Sequence, residues 1–316
     1  EFVQDSSFVK ALSLSNGKTR VAWLNFELLI IQPFLAKSIE AAIEKSGLEI
    51  DQLTFTATHT HSGMGGYMPG PLGELAFGGF DQKVVDFMVQ KSLLSLKKAL
   101  ASEDSVSISY RKSDAGNLIA NRFIKDGPID PFARQLIFSK KSGEKATFLT
   151  YSAHATCMST DFMGLSGDYP FYLMEDLEAN EFDFAIYAAG TVGSHRPLRF
   201  GNTPELVADY ATALDSTIRG GMVQLDSIKG KGLATGRLNI ALREPHLRVS
   251  DNIRIRPWLF DYLLGDTNPH LDFTLIGNTL MIASSGELSG VFYERWEQLA
   301  KEKELNLIIT TFNGGY

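Results

Sequence analysis

The stretch KTRVAWLNFELLIIQPFLAKSIEAAIEKSGLEIDQLTFTATHTH, residues 18–61, decides the fold class. Residues 18–31 form a nearly continuous apolar run, which predicts a buried strand. Residues 33–47 place apolar side chains on one helical face, with a proline at the start and a glycine at the end, and predict a helix. Residues 52–61 predict a second strand. A strand, a helix and a strand in this order usually mean parallel strands in one sheet.

The remainder of the sequence also mixes strands with helices. Further strands are predicted at 106–110, 134–139, 146–152, 183–188, 233–242, 272–276, 279–283 and 305–312, and further helices at 81–100, 168–179, 204–219 and 288–303. Residues 243–270 are expected to form loop and a short helix. No internal repeat or low-complexity linker interrupts the pattern. The sequence therefore predicts an α/β protein with a single domain over residues 1–316.

Composition excludes several classes of protein. The net charge of −7 argues against a nucleic-acid-binding surface, which needs a basic excess. The single cysteine, Cys157, excludes an intramolecular disulfide and a multi-cysteine zinc site. No stretch approaches the roughly 18 apolar residues of a membrane-spanning helix. A folded globular protein without a membrane span is expected.

Two of the six histidines, His59 and His61, stand one residue apart at the end of the second predicted strand. In a strand, residues i and i+2 project from the same face, so both imidazoles could address one point. A His-x-His pair is a recurrent zinc-ligand geometry. The glycines that follow would let backbone approach a ligand. A polar strand end without a ligand is the alternative.

The same placement recurs three more times along the chain. His154 ends the apolar run TFLTYSAH, Glu287 follows the run TLMIASSG, and Tyr316 follows NLIITTFNGG. In open α/β sheets, ligands gather beyond the carboxyl ends of strands, and a carboxylate can complete a histidine zinc site. A hydrogen-bonded histidine and a glutamate that opens a helix remain equally open explanations.

Together ATHTHSG, AHATCM, SGELSG and NGGY resemble, in this order, the neutral/alkaline non-lysosomal ceramidase family of zinc amidohydrolases. The resemblance runs from residue 8 to Tyr316. It implies that family's catalytic-domain fold, a layered mixed β-sheet core with flanking helices, and one zinc ion. The implied ligands are His59, His154, Glu287 and Tyr316, with His61 beside the metal. It also implies a short relative without the family's C-terminal β-domain.

The resemblance implies catalytic residues as well. Arg122 in IANRFIKDGPID matches the family's active-site arginine, and His61 would transfer protons. The family's serine lies in a GDVSPN-like segment, whereas this chain has AAGTVGSHRPL. Ser194 is the natural counterpart and His195 its rival. Ser194 is expected to be either a nucleophile or a hydrogen-bonding neighbour of a zinc-activated water.

The expected function is hydrolysis of an amide bond in a small N-acyl, ceramide-like or other lipid-like molecule through a metal-activated water. A zinc hydrolase of a non-lipid amide or ester, and a non-catalytic envelope or binding protein on the same scaffold, are the alternatives. No nucleic-acid partner is expected, whereas peripheral contact with a membrane surface is. The resemblance alone implies an extracytoplasmic location, periplasmic or secreted.

Several other residues have structural interpretations. Asp168 is expected to cap a helix, with a place beside the site as the alternative. The aromatic side chains of residues 254–265, Trp258, Phe260 and Tyr262, are expected to pack in the core or else to line a substrate wall. Cys157 is expected to be a small buried apolar residue. His246 and His270 are expected at the surface.

Overall fold

The structure is a computed structural model that describes residues 2–243, 248–264 and 267–315. Its strands are β1 (Val9–Ser15), β2 (Arg20–Phe26), β3 (Gln52–Ala57), β4 (Val106–Asp114), β5 (Ile119–Asn121), β6 (Phe132–Lys140), β7 (Lys145–Tyr151), β8 (Phe184–Ala189), β9 (His195–Pro197), β10 (Met222–Ser227), β11 (Leu233–Asn239), β12 (Arg248–Ser250), β13 (Ile253–Arg254), β14 (His270–Ile276), β15 (Thr279–Ser284) and β16 (Asn306–Thr310). Its helices are α1 (Pro33–Ser46), α2 (Pro71–Phe77), α3 (Gln82–Ala101), α4 (Asp168–Asn180), α5 (Pro204–Gly220), α6 (Pro257–Leu264) and α7 (Tyr293–Lys301).

Most of these strands belong to three mixed sheets. The orders are β1-β2-β3, β10-β4-β6-β7-β8 and β11-β14-β15-β16. Each sheet has one parallel pair, β2 with β3, β7 with β8, and β15 with β16, and its other pairs are antiparallel. In addition, β5 pairs with β9 and β12 with β13.

The predicted strand–helix–strand unit is confirmed. The strands β2 and β3 pair in parallel, with Val21 opposite Gln52 and Phe26 opposite Ala57. The helix α1 begins at Pro33 and ends at Ser46, and its C-cap residue, Gly47, adopts a left-handed φ of 70°. Glycine adopts that conformation without the steric cost of a Cβ, so it ends the helix and turns the chain into β3.

The core consists of layers, and alternate residues of β2 pack into the layers on its two opposite faces. Ala22, Leu24 and Phe26 pack in one buried cluster with residues of α1 and α3. Val21 and Trp23, on the opposite face, pack in another cluster with residues of the other two main sheets. A third cluster joins the far side of the five-stranded sheet to α4 and α5. The predicted layered mixed β-sheet core with flanking helices is therefore confirmed.

Some predicted boundaries are wrong. The strand β3 ends at Ala57 rather than at residue 61, and the helix α2 is not among the predicted elements. The helix expected from residue 288 begins at Tyr293, after a 3-10 turn. The expected short helix within 243–270 is α6, while residues 244–247 and 265–266 lie outside the described part of the chain. Across the described residues, no helix combines the length and apolar character needed to cross a bilayer.

Candidate metal centre

His59 lies two residues beyond β3, on backbone that is no longer a strand. Its φ is 64°, in the left-handed region, and its backbone N–H donates to the carbonyl of Leu28 at 3.0 Å. The buried ring stacks on Phe312 with 4.2 Å between ring centroids. The expected strand geometry of His59 and His61 is therefore wrong. Contacts with neighbouring segments, rather than strand alternation, orient the His59 ring.

The tautomer of His59 follows from its second contact. Its Nδ1 lies 2.7 Å from the carbonyl oxygen of Leu29, which can only accept a hydrogen bond. Nδ1 therefore carries the hydrogen of the neutral ring and Nε2 carries a lone pair. Burial, followed by the nearby His154, lowers the pKa of His59 to about 2, so the neutral form prevails at physiological pH.

His154 follows β7 and is oriented in the same way. Its Nδ1 lies 2.9 Å from the carbonyl oxygen of Val192, which leaves Nε2 with its lone pair. Burial first, and then the charge of Arg122, lower the pKa of His154 to about 4. The two Nε2 atoms of His59 and His154 lie 3.1 Å apart. Two lone pairs at this distance repel each other unless a cation or a donated hydrogen lies between them.

Glu287 faces this pair of histidines from the third sheet. One carboxylate oxygen lies 3.8 Å from Nε2 of His59 and the other 4.0 Å from Nε2 of His154. Burial raises the pKa of Glu287, and the positive charge of Arg122 opposes that shift. Glu287 lies in a loop after β15 and does not open a helix, so the alternative of a helix-opening residue is wrong.

Arg122 follows β5 and contributes the positive charge of the site. Its Nη1 lies 3.2 Å from Nε2 of His154, and its Nη2 lies 3.6 Å from Oε1 of Glu287. The Arg122 side chain is about one-third exposed, so it borders the site and is accessible from outside. A fixed cation at this place can bind a carboxylate or a polarised carbonyl oxygen.

His61 lies beside the two buried histidines, partly exposed to solvent. Its ring centroid is 4.9 Å from that of His59 and 5.6 Å from that of His154. The ring nitrogens of these three histidines could hold a metal ion, because one ligand atom of each lies within 4.8 Å of the others. Despite the exposure, desolvation by surrounding atoms and the charge of Arg122 lower the pKa of His61.

Ser194 lies in the turn before β9, with its hydroxyl buried against Ser289 and His195. Its backbone oxygen accepts the N–H of Arg122 at 2.9 Å. The adjacent Gly193 faces Glu287, because a Cβ built there would lie 3.2 Å from Oε1 of that residue. The segment that carries Ser194 is thus part of the wall of the site.

The chain that leads to Tyr316 approaches the same wall, although Tyr316 itself lies outside the described residues. A Cβ built at Gly315 would lie 2.5 Å from Cβ of Ser285, two positions before Glu287. The backbone N–H of Asn268 also donates to Gly315, at 3.4 Å. The assignment of Tyr316 as a ligand stays a prediction.

His270 was expected at the surface, and this prediction is wrong. It is buried at the start of β14, where Nδ1 donates to the carbonyl of Asn268 at 2.6 Å and Nε2 faces the amide of Asn313 at 3.3 Å. The alternation of HLDFTL in β14, buried at every second residue, was the signal that could have placed it inside. His246 lies outside the described residues.

Asp168 does not cap its helix as expected, because Gly167 occupies the N-cap position. Its carboxylate instead accepts the backbone N–H groups of Cys157 at 3.1 Å and Met158 at 2.8 Å. It therefore fixes the segment that follows His154. Cys157 is buried, as predicted.

Two aromatic side chains of α6 are exposed rather than buried in the core. Trp258 is 64% exposed and Tyr262 is 68% exposed, so the expectation of core packing is wrong for both. The helix packs against α2, which belongs to the loop that follows His61. The side chain of Phe260 lies outside the described part of the chain.

One ligand candidate comes from each main sheet, since His59 follows β3, His154 follows β7 and Glu287 follows β15. The sequence-family model described as neutral/alkaline non-lysosomal ceramidase, N-terminal, matches residues 4–185, which is more than half of the chain. The chain belongs to the neutral/alkaline non-lysosomal ceramidase family.

Solved structures share the fold at low sequence identity. The neutral ceramidase from Pseudomonas aeruginosa has a TM-score of 0.77 and 18% identity, over 96% of this chain and 60% of that one. A structure described as ceramidase complexed with C2 has a TM-score of 0.77 and 17% identity, over 99% of this chain and 67% of that one. The chain thus spans about two thirds or less of these proteins. No curated protein matched the sequence.

Proposed function

We propose that the protein is a zinc-dependent hydrolase that cleaves the amide bond of an N-acyl, lipid-like substrate. The observation that carries this proposal is the pair of facing nitrogens in His59 and His154, 3.1 Å apart. Both rings donate their Nδ1 hydrogen to a backbone carbonyl oxygen, at 2.7 Å for His59 and 2.9 Å for His154. Metal-ligating histidines are oriented by such bonds, which leave the other nitrogen free for the ion.

The residues around this pair fit zinc in their chemistry. Zinc binds imidazole nitrogen and carboxylate oxygen, and we assign His59, His154 and Glu287 as ligands, with Tyr316 as the fourth. The low pKa values of both histidines favour this, because only neutral imidazole binds a metal. When bound, the zinc ion polarises the substrate carbonyl and activates a water molecule.

The surrounding side chains supply the remaining chemistry. His61, next to the pair and partly exposed, takes the proton from the attacking water and delivers it to the leaving nitrogen. Its lowered pKa keeps the ring neutral and able to accept that proton at physiological pH. Arg122 binds the developing negative charge on the carbonyl oxygen. The third polar residue of this set is Ser194, which contacts the substrate.

Membership of the ceramidase family and the exposed apolar and aromatic side chains on α2 and α6 support a lipid-like substrate. Leu75 of α2 is 81% exposed, and Trp258 and Tyr262 of the neighbouring α6 are exposed as well. Exposed aromatic residues with a polar edge are suited to the boundary between water and lipid. We assign this surface to peripheral contact with the membrane or micelle that holds the substrate, and an extracytoplasmic location accords with it.

The test measures zinc content and hydrolysis on the same preparations. The wild type is expected to bind one zinc ion per chain and to release fatty acid from a fluorogenic N-acyl amide. His59→Ala and His154→Ala are expected to lose both the zinc and the activity. His61→Ala is the matched control, since it removes a neighbouring imidazole that we place off the metal, and it should keep the zinc.

Circular dichroism of each variant separates loss of the ion from loss of the fold. A wild type without stoichiometric zinc, or a zinc-loaded wild type that cleaves ester but no amide substrates, would refute the proposal. Full zinc content in His59→Ala and in His154→Ala would refute the ligand assignment.

A further inference from the structure

The hydroxyl of Ser194 has two hydrogen-bonding neighbours, and both are buried or partly buried. Ser289 donates from its Oγ to Oγ of Ser194 at 2.8 Å. Nδ1 of His195 lies 3.1 Å from the same oxygen. Which partner of the second bond donates depends on the tautomer of His195, and this decides what Ser194 can do.

The other nitrogen of His195 settles the tautomer. The backbone N–H of Asp130 points at Nε2 of His195, with 3.0 Å between the two nitrogens. A backbone N–H can only donate, so Nε2 must carry a lone pair. Because Nε2 accepts this hydrogen bond, the ring is neutral, and burial favours the same form by lowering the pKa of His195 against the opposing charge of Asp130. Its one hydrogen is therefore on Nδ1 and is donated to Ser194.

A buried network keeps Asp130 in place. Its carboxylate accepts two hydrogen bonds from Nη1 of Arg134, at 3.0 Å and 2.9 Å, and one from Oγ of Ser152 at 2.8 Å. Asp130, Arg134 and Ser152 are each at most 3% exposed. Rotation of the His195 ring would leave the Asp130 N–H without its acceptor in this buried setting, which is costly.

These contacts leave the hydroxyl of Ser194 able to donate its hydrogen but not to accept another hydrogen bond. A serine hydroxyl has two lone pairs and one hydrogen, and both lone pairs are occupied by Ser289 and His195. Across the described part of the chain, no acceptor faces that hydrogen. A nucleophilic serine needs a neighbouring base to take its proton, but both neighbours here donate.

The turn that carries Ser194 borders the metal centre on two sides. Val192 accepts the Nδ1 hydrogen of His154, and the backbone oxygen of Ser194 accepts the N–H of Arg122. We propose that His195 and Ser289 are positioning residues that hold Ser194 as a hydrogen-bond donor to the substrate's carbonyl oxygen, so that no acyl-enzyme forms at Ser194. This rests on the proposed amide hydrolysis and adds a role for each residue.

The first test compares two substitutions of His195. In His195→Asn, the side-chain amide can occupy the place of Nδ1 and donate to Ser194, but it cannot act as a base. We expect kcat/KM to fall about tenfold in His195→Ala and to recover to within about threefold of wild type in His195→Asn. The zinc content should not change in either. An asparagine variant as slow as the alanine variant would overturn the proposal, because it would make His195 a base.

The second test looks for the covalent intermediate. Acid-quenched zinc-loaded enzyme, mixed rapidly with a fluorogenic N-acyl amide, is expected to show no acyl adduct by intact mass and no burst of released amine. Ser194→Ala is expected to lose roughly 100-fold in kcat, the effect of one lost oxyanion donor, and Ser289→Ala about fivefold. An acyl group attached to Ser194 would overturn the proposal even if the amidase activity is confirmed.

The third test does not depend on turnover or on any variant folding. Long-range ¹H–¹⁵N spectra of the histidine-labelled wild type are expected to show His195 with its hydrogen on Nδ1 at neutral and alkaline pH. A hydrogen on Nε2 would overturn the proposal. If His195 has the expected tautomer but the wild type cleaves no N-acyl amide, the proposed function fails and takes the substrate role of Ser194 with it.

Discussion

The side-chain oxygen of Asn313 accepts a hydrogen bond from the backbone N–H of Phe55 at 2.8 Å. This bond joins the segment after β16, which leads towards Tyr316, to the strand that leads to His59. The amide nitrogen of Asn313 also donates to Asp272 at 2.7 Å, and Asp272 is held in turn by Arg237 at 2.6 Å and 2.8 Å. A buried amide therefore sets the position of one chain segment of the metal centre relative to another.

Asn313→Ala should destabilise the protein by roughly 2–4 kcal/mol, because it leaves the buried N–H of Phe55 without its acceptor and removes one of the hydrogen bonds to the buried carboxylate of Asp272. Urea unfolding followed by circular dichroism measures this change. The exposed Asn202 provides the matched control, and Asn202→Ala should change the free energy of unfolding by less than about 0.5 kcal/mol. Equal effects of the two substitutions would contradict the role of Asn313.

Gly193→Ala should weaken zinc binding without unfolding the protein. The new Cβ would lie 2.9 Å from the carbonyl oxygen of Leu288 and 3.2 Å from Oε1 of Glu287, so the segment with Glu287 must shift. Displacement of a ligand segment by a few tenths of an ångström should lower the zinc affinity by about tenfold. Competition with a fluorescent zinc chelator gives the dissociation constant.

The control for this substitution is Gly236→Ala. A Cβ at Gly236 meets no atom within 4 Å, so this variant should bind zinc as the wild type does. The assignment of Glu287 as a ligand would be contradicted by a Gly193→Ala protein with unchanged zinc affinity.

His61→Ala should keep its zinc and lose most of its turnover. Removal of a general acid–base residue typically costs 10²–10⁴-fold in rate, so we expect a loss of about that size in kcat. The pH dependence of the wild-type rate provides a second measurement. The wild-type rate should fall on the acidic side, where His61 becomes protonated, at a pH below the usual range of histidine, because its pKa is lowered. Full activity in His61→Ala would exclude its role in proton transfer.

Glu27→Gln should stabilise the protein at alkaline pH. Burial raises the pKa of Glu27 to about 8, and its Oε1 has no hydrogen-bond partner in the described structure. The folded state therefore retains a proton that the unfolded chain releases above its ordinary pKa near 4.5. The free energy of unfolding of the wild type should fall as the pH rises from about 4.5 to 8, by a few kcal/mol at most.

Urea unfolding at pH 5 and at pH 8.5 tests this. Glu27→Gln, which cannot ionise, should be more stable than the wild type by roughly 1–3 kcal/mol at the higher pH and nearly equal at the lower. The exposed Glu44 of α1 provides the control, and Glu44→Gln should follow the wild type at both values. A gain of equal size at both pH values would show that ionisation is not its cause.

Much of the fold could be predicted because its signals are local. The periodicity of residues 18–61, Pro33 at the start of α1 and Gly47 at its end depend only on neighbouring residues, and the structure confirms the parallel unit that they predict. The candidate site was predicted from the recurrence of polar residues after apolar runs. His59, His154 and Glu287 follow three different strands and meet at one point.

What could not be predicted depends on contacts between distant segments. His59 has a left-handed backbone conformation and contacts Leu28, Leu29 and Phe312. No local sequence pattern predicts this conformation. The burial of His270 likewise depends on Asn313, which lies 43 positions away. The hydrogens on His195 are set by a backbone N–H at residue 130, so the direction in which Ser194 donates was beyond the reach of the sequence.

The convergence of three sheets on one point has a consequence for biosynthesis. While the chain emerges from the ribosome, His59 and His154 are made long before Glu287, and the three side chains can meet only after β15 has been made. Bound as proposed, a zinc ion would join the sheets after they dock rather than nucleate any one of them, and its binding free energy would add to their association. Metal supply would then govern the lifetime of the finished molecule rather than the yield of its early folding.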